Sequence, residues 1–269
     1  MAIILDTFRE AAARKIFWGL FALSTLMMAF FLFILKIDVV EGATATVTLF
    51  GNRGPLGDVE RLIRQAQAGI ATFLYTWGLF LSVFASAGLI PSVLEPGRIE
   101  LLLSKPVSRV HLLLGRYLGN LIVVGVNNVY LVLGIWLIFG VKTGLWSPEF
   151  LFAIFTSVVL FAVMLAVVVL IGVLFESTAL AVMVPTALML ISPVLAQTAL
   201  AERLLSSETS RMLWKALYHL LPKVYDIGAM TMNVVLDRRI GSMLPVATSA
   251  LFAAWILLAA AYVFQKRDF

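Results

Sequence analysis

The sequence predicts an all-α membrane protein: six transmembrane helices, an N-terminal interfacial helix, a helical elbow between spans 2 and 3, and structured external loops. Three observations carry that prediction. Of 269 residues, 62% are hydrophobic and only 13% charged, with a mean hydropathy of +1.03. Globular domains are nearer roughly 45–50% apolar and about 25% charged. Six apolar runs are each long enough to cross a bilayer, which takes about 20 helical residues. A charged, amphipathic stretch, residues 91–119, interrupts them after the second run.

The whole chain, 1–269, reads as one six-helix membrane domain. Residues 1–15 open it. Ile4, Leu5, Phe8 and Ala12 share one helical face, with Asp6, Arg9, Glu10 and Arg14 toward water, so an interfacial helix is expected. Extension of the first span into water is the alternative. That span, residues 16–37, is too long for the core of a cleaved signal. The external loop 38–67 contains Ala43 to Phe50, an alternating run, followed by Gly51-Asn52-Arg53-Gly54-Pro55, which reads as a hairpin turn. Asp58 to Gln67 reads as a polar helix running into the second span, residues 68–90.

Residues 91–115 form the elbow. Ile99, Leu101, Leu102 and Leu103 are apolar, while Glu95, Arg98, Glu100 and Lys105 are charged, a pattern for a helix lying at the membrane surface. Pro106 disfavours helix at Lys105. Ser108 then caps a helix that begins with Arg109 and enters the third span, 116–140. Spans four and five, 151–175 and 178–200, meet at a tight Phe175-Glu176-Ser177-Thr178 turn, with Ser177 as the cap. Pro185 and Pro193 each remove a backbone donor from the fifth span, and a bend is expected there. In the external loop 201–242, Ser207 is expected to cap a helix through about Leu221, stopped by Pro222. Met212, Leu213, Leu217, Leu220 and Leu221 give it an apolar face. Residues 243–264 form the last span.

Little in the chain carries chemistry. There are no cysteines, which excludes disulfides and thiolate metal sites. No G-x-x-x-x-G-K-[ST] occurs, so ATP hydrolysis by that loop is excluded. His111 and His219 lack the partners of a metal site, and no catalytic or metal residues are assigned. A Cu(I) site using His219 with Met212, Met230 or Met232 is the alternative, weighed against ordinary packing. Carboxylates are nearly absent from the spans, which argues against proton coupling and intramembrane proteolysis. Asn120, Asn127, Asn128 and Gln197 are expected to hydrogen-bond between helices, with a substrate path as the alternative. Gly115 and Gly119 form a small-xxx-small pair for helix packing. The net charge of +5 is spread over helix flanks facing anionic headgroups, not gathered for nucleic acid.

The elbow resembles a known family. Glu95, Gly97 and Glu100, then Leu103-Ser104-Lys105-Pro106-Val107-Ser108-Arg109, then Gly115-Arg116, look like the cytoplasmic loop of type-2 ABC exporter permeases. Arg116 stands where that family usually has Lys. Leu217-Tyr218-His219-Leu220-Leu221-Pro222 is similar to an external segment of the copper-enzyme-maturation permeases. The resemblance implies a non-catalytic permease subunit of an ATP-driven exporter in the inner membrane. It implies a pathway formed with a second copy or a homologous permease, and a separate ATPase that holds ATP and Mg and docks on the elbow. This chain would bind no cofactor. Glu95, Gly97, Arg98, Glu100, Ser104, Lys105, Pro106, Ser108, Arg109 and Arg116 would then form the ATPase-coupling set. Gly115, Gly119, Pro185 and Pro193 would serve packing and gating. The long external loops offer a surface for a further partner. A membrane anchor that recruits a soluble partner without transport is the alternative, and a secondary transporter is disfavoured by the missing buried charges.

Six spans put both termini on one side. Basic residues divide almost equally between the two sets of loops, so the positive-inside rule alone does not orient the chain. Their concentration before the first span and in the elbow, together with the family resemblance, leads to both termini being expected in the cytoplasm.

Overall fold

The computed structural model describes residues 15–34, 36–38, 46–49, 52–53, 56–88, 91–94, 108–197, 203, 207–238 and 241–267. Its first helix, α1 (Lys15–Ile34), is followed by three short antiparallel strands, β1 (Lys36–Asp38), β2 (Thr46–Leu49) and β3 (Asn52–Arg53), in the order β1-β2-β3. Then come α2 (Leu56–Phe73), a π-helical turn (Leu74–Gly78) and α3 (Leu79–Ser86), which run on as one rod. Beyond the elbow lie α4 (Arg109–Thr143), a short 3-10 turn (Pro148–Leu151) and α5 (Phe152–Phe175). The chain closes with α6 (Thr178–Leu195), α7 (Glu208–Leu220), α8 (Val224–Val235) and α9 (Leu244–Lys266).

Among the described residues, five helical segments are long and apolar enough to cross a membrane: Ile63–Ser86, Arg109–Thr143, Pro148–Phe175, Thr178–Leu195 and Leu244–Lys266. The first helix adds a shorter apolar stretch, Trp18–Phe33. This is a multi-span, all-α membrane protein. Exposed Trp18, Phe33, Leu190 and Trp255 belong to a lipid-facing surface that water would not tolerate on this scale.

α5 stands at the centre. Of its span, 61% is buried, against at most 33% for any other. Its sequence is apolar on every side, as a helix surrounded by other helices requires. α9, α6 and α4 pack around it most extensively. The core divides into two clusters. One joins Val83 of α3, Val93 and Leu94, Leu112 and Leu113 of α4, the α5 stripe, and Ala260 and Phe264 of α9. The other joins Phe31 of α1, Ile63 of α2, Ile135 and Phe139 of α4, Phe150, and Val235 of α8.

Several boundaries differ from those the sequence predicts. The first span ends at Ile34, before 37, because Lys36–Asp38 pairs with Thr46–Thr48 as a strand. The polar helix expected from Asp58 into the second span is present and starts two residues earlier, at Leu56. The third helix starts at Arg109, as its sequence predicts, and runs over 35 residues to Thr143, three past the expected end of the span at 140. At about 1.5 Å per residue it is about 50 Å long, more than the bilayer's hydrocarbon core needs. The fifth ends at Leu195 rather than 200, with Pro185 and Pro193 both inside it. Asn52 and Arg53, expected in a turn, form a strand instead, with Asn52 paired to Leu49. Ser207 precedes α7 but makes no side-chain capping bond. Residues 1–14, with the expected interfacial helix, lie outside the described residues.

The largest departure is α8. The sequence reading leaves 224–235 as loop, yet it is a helix with Ile227, Met230, Thr231, Val234 and Val235 buried. Twelve residues are too few to span, so α8 enters the bundle from one end and packs on α2, α5 and α6. Its approach to the π-turn depends on Gly228. A Cβ there would lie 2.6 Å from Tyr75 ring carbons.

Candidate coupling site at the elbow end

The elbow itself, residues 95–107, lies outside the described residues, and with it Glu95, Gly97, Arg98, Glu100, Ser104, Lys105 and Pro106. Its two roots are described. On the near side, Pro91 to Leu94 form a turn closed by a bond from Leu94 N to Pro91 O at 3.1 Å. Val93 and Leu94 are buried. On the far side, Ser108 takes the extended backbone of an N-cap, with φ −68° and ψ 147°, as its sequence predicts. Its Oγ accepts from the His111 backbone N at 3.3 Å and lies 2.5 Å from His111 Nδ1. One turn on, Leu112 and Leu113 are buried in the same cluster as Val93 and Leu94. Both ends of the elbow are thus seated in one core, together with α5 and α9.

Arg109 points across this end of the bundle. Its guanidinium donates to the backbone oxygens of Gln265, at 3.3 Å, and Arg267, at the end of α9. Arg267 in turn donates to Val173 O and pairs with the Glu176 carboxylate at the α5–α6 turn. Glu176 closes α5 in a left-handed conformation, φ 51°, and its N–H bonds Gly172 O at 3.0 Å. Ser177 caps α6 through the Leu180 N–H, as the sequence predicts. The carbonyls at a helix C-terminus lack intrahelical donors. Here Arg109 serves those of α9 and Arg267 serves one of α5. The result is a chain of contacts from the elbow root, through the C-terminal end of α9, to the α5–α6 turn.

Sequence reasoning names Arg109 as a contact for a partner, whereas the structure also gives it an internal role. It misses Arg267 as a site residue altogether. The available signal is positional: a basic residue just past the last turn of a helix commonly serves carbonyls. Arg116 is 3% exposed and lies inside the bundle. Gly115 and Gly119 are buried beside it on α4. Tyr117 fastens this stretch to α5, its hydroxyl donating to Ala162 O at 3.0 Å. Pro185 is buried in α6. Near Pro193, Ser192 Oγ accepts from Tyr225 N at 3.0 Å and Leu195 O accepts from Trp214 Nε1 at 3.1 Å.

The opposite end carries a separate polar set. Arg64 of α2 approaches Glu149 at 3.9 Å and Asp237 at 3.8 Å. Tyr218 donates to Asp226 Oδ2 at 2.8 Å, and the Lys223 ammonium sits over its ring, 4.8 Å from the centroid. Burial first, then the hydrogen bond to Asp226 and its charge, pushes the Tyr218 phenol up to about 12. Among the described residues no three His, Cys, Asp or Glu side chains gather as metal ligands. His219 packs edge-on against Tyr218, Met212 and Met232 are exposed, and Met230 is buried.

The interhelical amides are brought together as expected at two points. Asn127 of α4 bonds Ser24 of α1 at 3.1 Å, and Asn128 bonds Ser157 of α5 at 2.7 Å. Asn120 is buried with its Nδ2 unbonded among the described residues.

Against known proteins, the family model described as ABC-2 family transporter protein matches residues 1–269. No curated protein matches the chain.

Proposed function

The chain belongs to the ABC-2 transporter family, and from that premise we propose that it is the membrane-spanning subunit of an ATP-driven exporter. It pairs with a second copy or a homologous permease and is driven by a separate ATPase docked on the elbow, with both termini in the cytoplasm of the inner membrane. ATP and Mg sit on the ATPase. The Leu217–Pro222 run supports placing the chain in the copper-enzyme-maturation group.

The observation that carries this reading is the seating of the elbow. Val93 and Leu94 on one side, and Leu112 and Leu113 on the other, share a core with α5 and α9. A push on the elbow therefore moves packed helices rather than a slack loop. Packed interfaces switch between discrete arrangements instead of deforming gradually. α4, rigid over 35 residues, carries the displacement to the far end. The Arg109–α9–Arg267–Glu176 chain carries it sideways to the α5–α6 turn. ATPase closure thus rocks α4, α5 and α9 together.

Purification from native membranes tests the proposal. The chain should bring down an ATPase carrying a phosphate-binding loop. The double variant Glu100→Lys, Arg109→Glu should still insert, because spanning depends on the apolar runs, and lose that partner, because interface charges are sensitive to reversal. Normal assembly and ATP-driven function in the double variant would overturn the coupling role. A soluble partner without an ATPase would favour the anchor reading.

A further inference from the structure

α1, α2 with its π-turn, α4 and α5 enclose a cavity of about 590 Å³. Small-molecule sites typically fall at roughly 300–1,000 Å³. Among the described residues lining it there is no Asp, Glu, Lys, Arg or His. A charged ligand would meet nothing to neutralise it there. The walls are mostly aliphatic and aromatic. On one side, Leu23, Leu26, Phe30 and Phe73 both line the cavity and are exposed, so it opens sideways onto the lipid-facing surface.

Three glycines keep it open. A Cβ added at Gly69 or Gly78 would meet nothing within 4 Å, and one at Gly125 would meet only Val158 Cγ2, at 4.0 Å. Its polar lining residues are Ser24, Tyr75, Ser82, Asn127, Asn128 and Ser157, and the two amides, Asn127 and Asn128, lie near the middle of Arg109–Thr143 and hence at the depth of the hydrocarbon core. Asn127 exchanges bonds with Ser24, at 3.1 and 3.2 Å. Asn128 uses one amide N–H on Ser157 at 2.7 Å. Asn128 lines the cavity, and beyond that bond an amide side chain has a carbonyl oxygen and a second N–H to offer an occupant. A polar capacity of this kind, inside hydrocarbon, favours an occupant that meets it.

We propose that this cavity binds a neutral, lipid-soluble molecule that enters from the bilayer: a long hydrocarbon body carrying one hydroxyl or carbonyl group, which Asn128 engages beside the Asn127–Ser24 pair. The inference rests on the chain spanning a membrane and stands apart from the ATPase reading.

The full chain in phosphatidylcholine nanodiscs, exposed to a diazirine-bearing hexadecanol, tests it. Photolabel should map by mass spectrometry to residues 20–31 and 124–131, and unlabelled hexadecanol should compete. Gly125→Phe fills the cavity and should cut labelling there about tenfold, the loss of a contact set worth one decade of affinity. Gly78→Leu fills it from the opposite wall and should act alike, so a folding failure of either variant leaves the other decisive. Asn128→Leu should reduce the preference for the alcohol over its hydroxyl-free counterpart by about threefold. Label spread evenly over Leu190, Leu251 and Trp255, and unchanged by the filling variants, would reduce the cavity to ordinary lipid contact and overturn the proposal. So would a disulfide between two copies carrying Leu26→Cys, since Leu26 lies at the opening and a second copy would then cover it. An unaltered preference in Asn128→Leu would overturn the polar recognition.

Discussion

Gly228 is where the fold leaves least room, and replacing it measures how closely α8 is held. A Cβ at Gly228 falls 2.6 Å from two ring carbons of Tyr75 and 3.0 Å from a third. Carbon atoms in contact prefer about 3.5–4.0 Å. Gly228→Ala therefore forces α8 away from the π-turn by about an ångström, or drives the Tyr75 ring off its rotamer. Overpacking of this kind costs about 1–3 kcal/mol. In a chain of this size that lowers the melting temperature by about 2–4 °C per kcal/mol. The assay is thermal unfolding in detergent, with three companions. Tyr75→Leu removes the ring, and the double variant Gly228→Ala, Tyr75→Leu should recover most of the loss that Gly228→Ala causes in the Tyr75 parent. Gly19→Ala has nothing within 4 Å of its new methyl. It should be neutral or gain up to about 1 kcal/mol, since alanine is the better helix former. An unshifted Gly228→Ala, or a loss that Tyr75→Leu fails to relieve, would refute the close approach of α8 to the π-turn.

Four further outcomes are expected. Arg267→Gln should leave assembly intact, because an exposed pair contributes only about 0–1 kcal/mol, yet lower ATP-driven activity by uncoupling the Glu176 turn; unchanged turnover in the reconstituted complex would remove Arg267 from the relay. Thr231→Val should destabilise by about 1 kcal/mol, because Thr231 Oγ1 lies 2.8 Å from buried Thr156 Oγ1, measured by thermal unfolding beside the double variant with Thr156→Val. For Tyr218 the folded-state value lies above the ordinary 10.0, so its contribution is complete below about 10 and lost as pH rises through about 12; Tyr218→Phe should flatten that alkaline decline in a pH series of melts. Since the native chain has no cysteine, single cysteines at Glu100 and Ser210 report topology: an impermeant thiol reagent applied outside should label 210 and spare 100, and the reverse labelling would invert the orientation.

Much of the helical layout is legible in the sequence because its causes are local. Ser108 and Ser177 cap where the sequence places them, since a hydroxyl reaching a free N–H needs only its own neighbours. The long apolar runs mark their own spans, because transfer from water adds along the chain. Errors gather where a local rule meets a distant partner. The first span stops early because Lys36–Asp38 finds a strand partner ten residues on. Ser207 looks like a cap, yet α7 begins without its bond.

By itself, then, the sequence determined an all-helical membrane chain, the start of α4 at Arg109, the absence of a phosphate-binding loop, and the family-like elbow. Tertiary structure alone decided three things. It turned Val224–Val235 into a helix inside the bundle, because that segment's apolar face has meaning only against α2, α5 and α6. It joined Arg109 to carbonyls at the end of α9, 156 residues away. It left a cavity beside Asn127 and Asn128 with no charged side chain among its described lining residues. The physical reason is common to all three. Hydropathy and backbone preference are properties of a segment, whereas a hydrogen bond across helices or a space between them belongs to residues that only packing brings together.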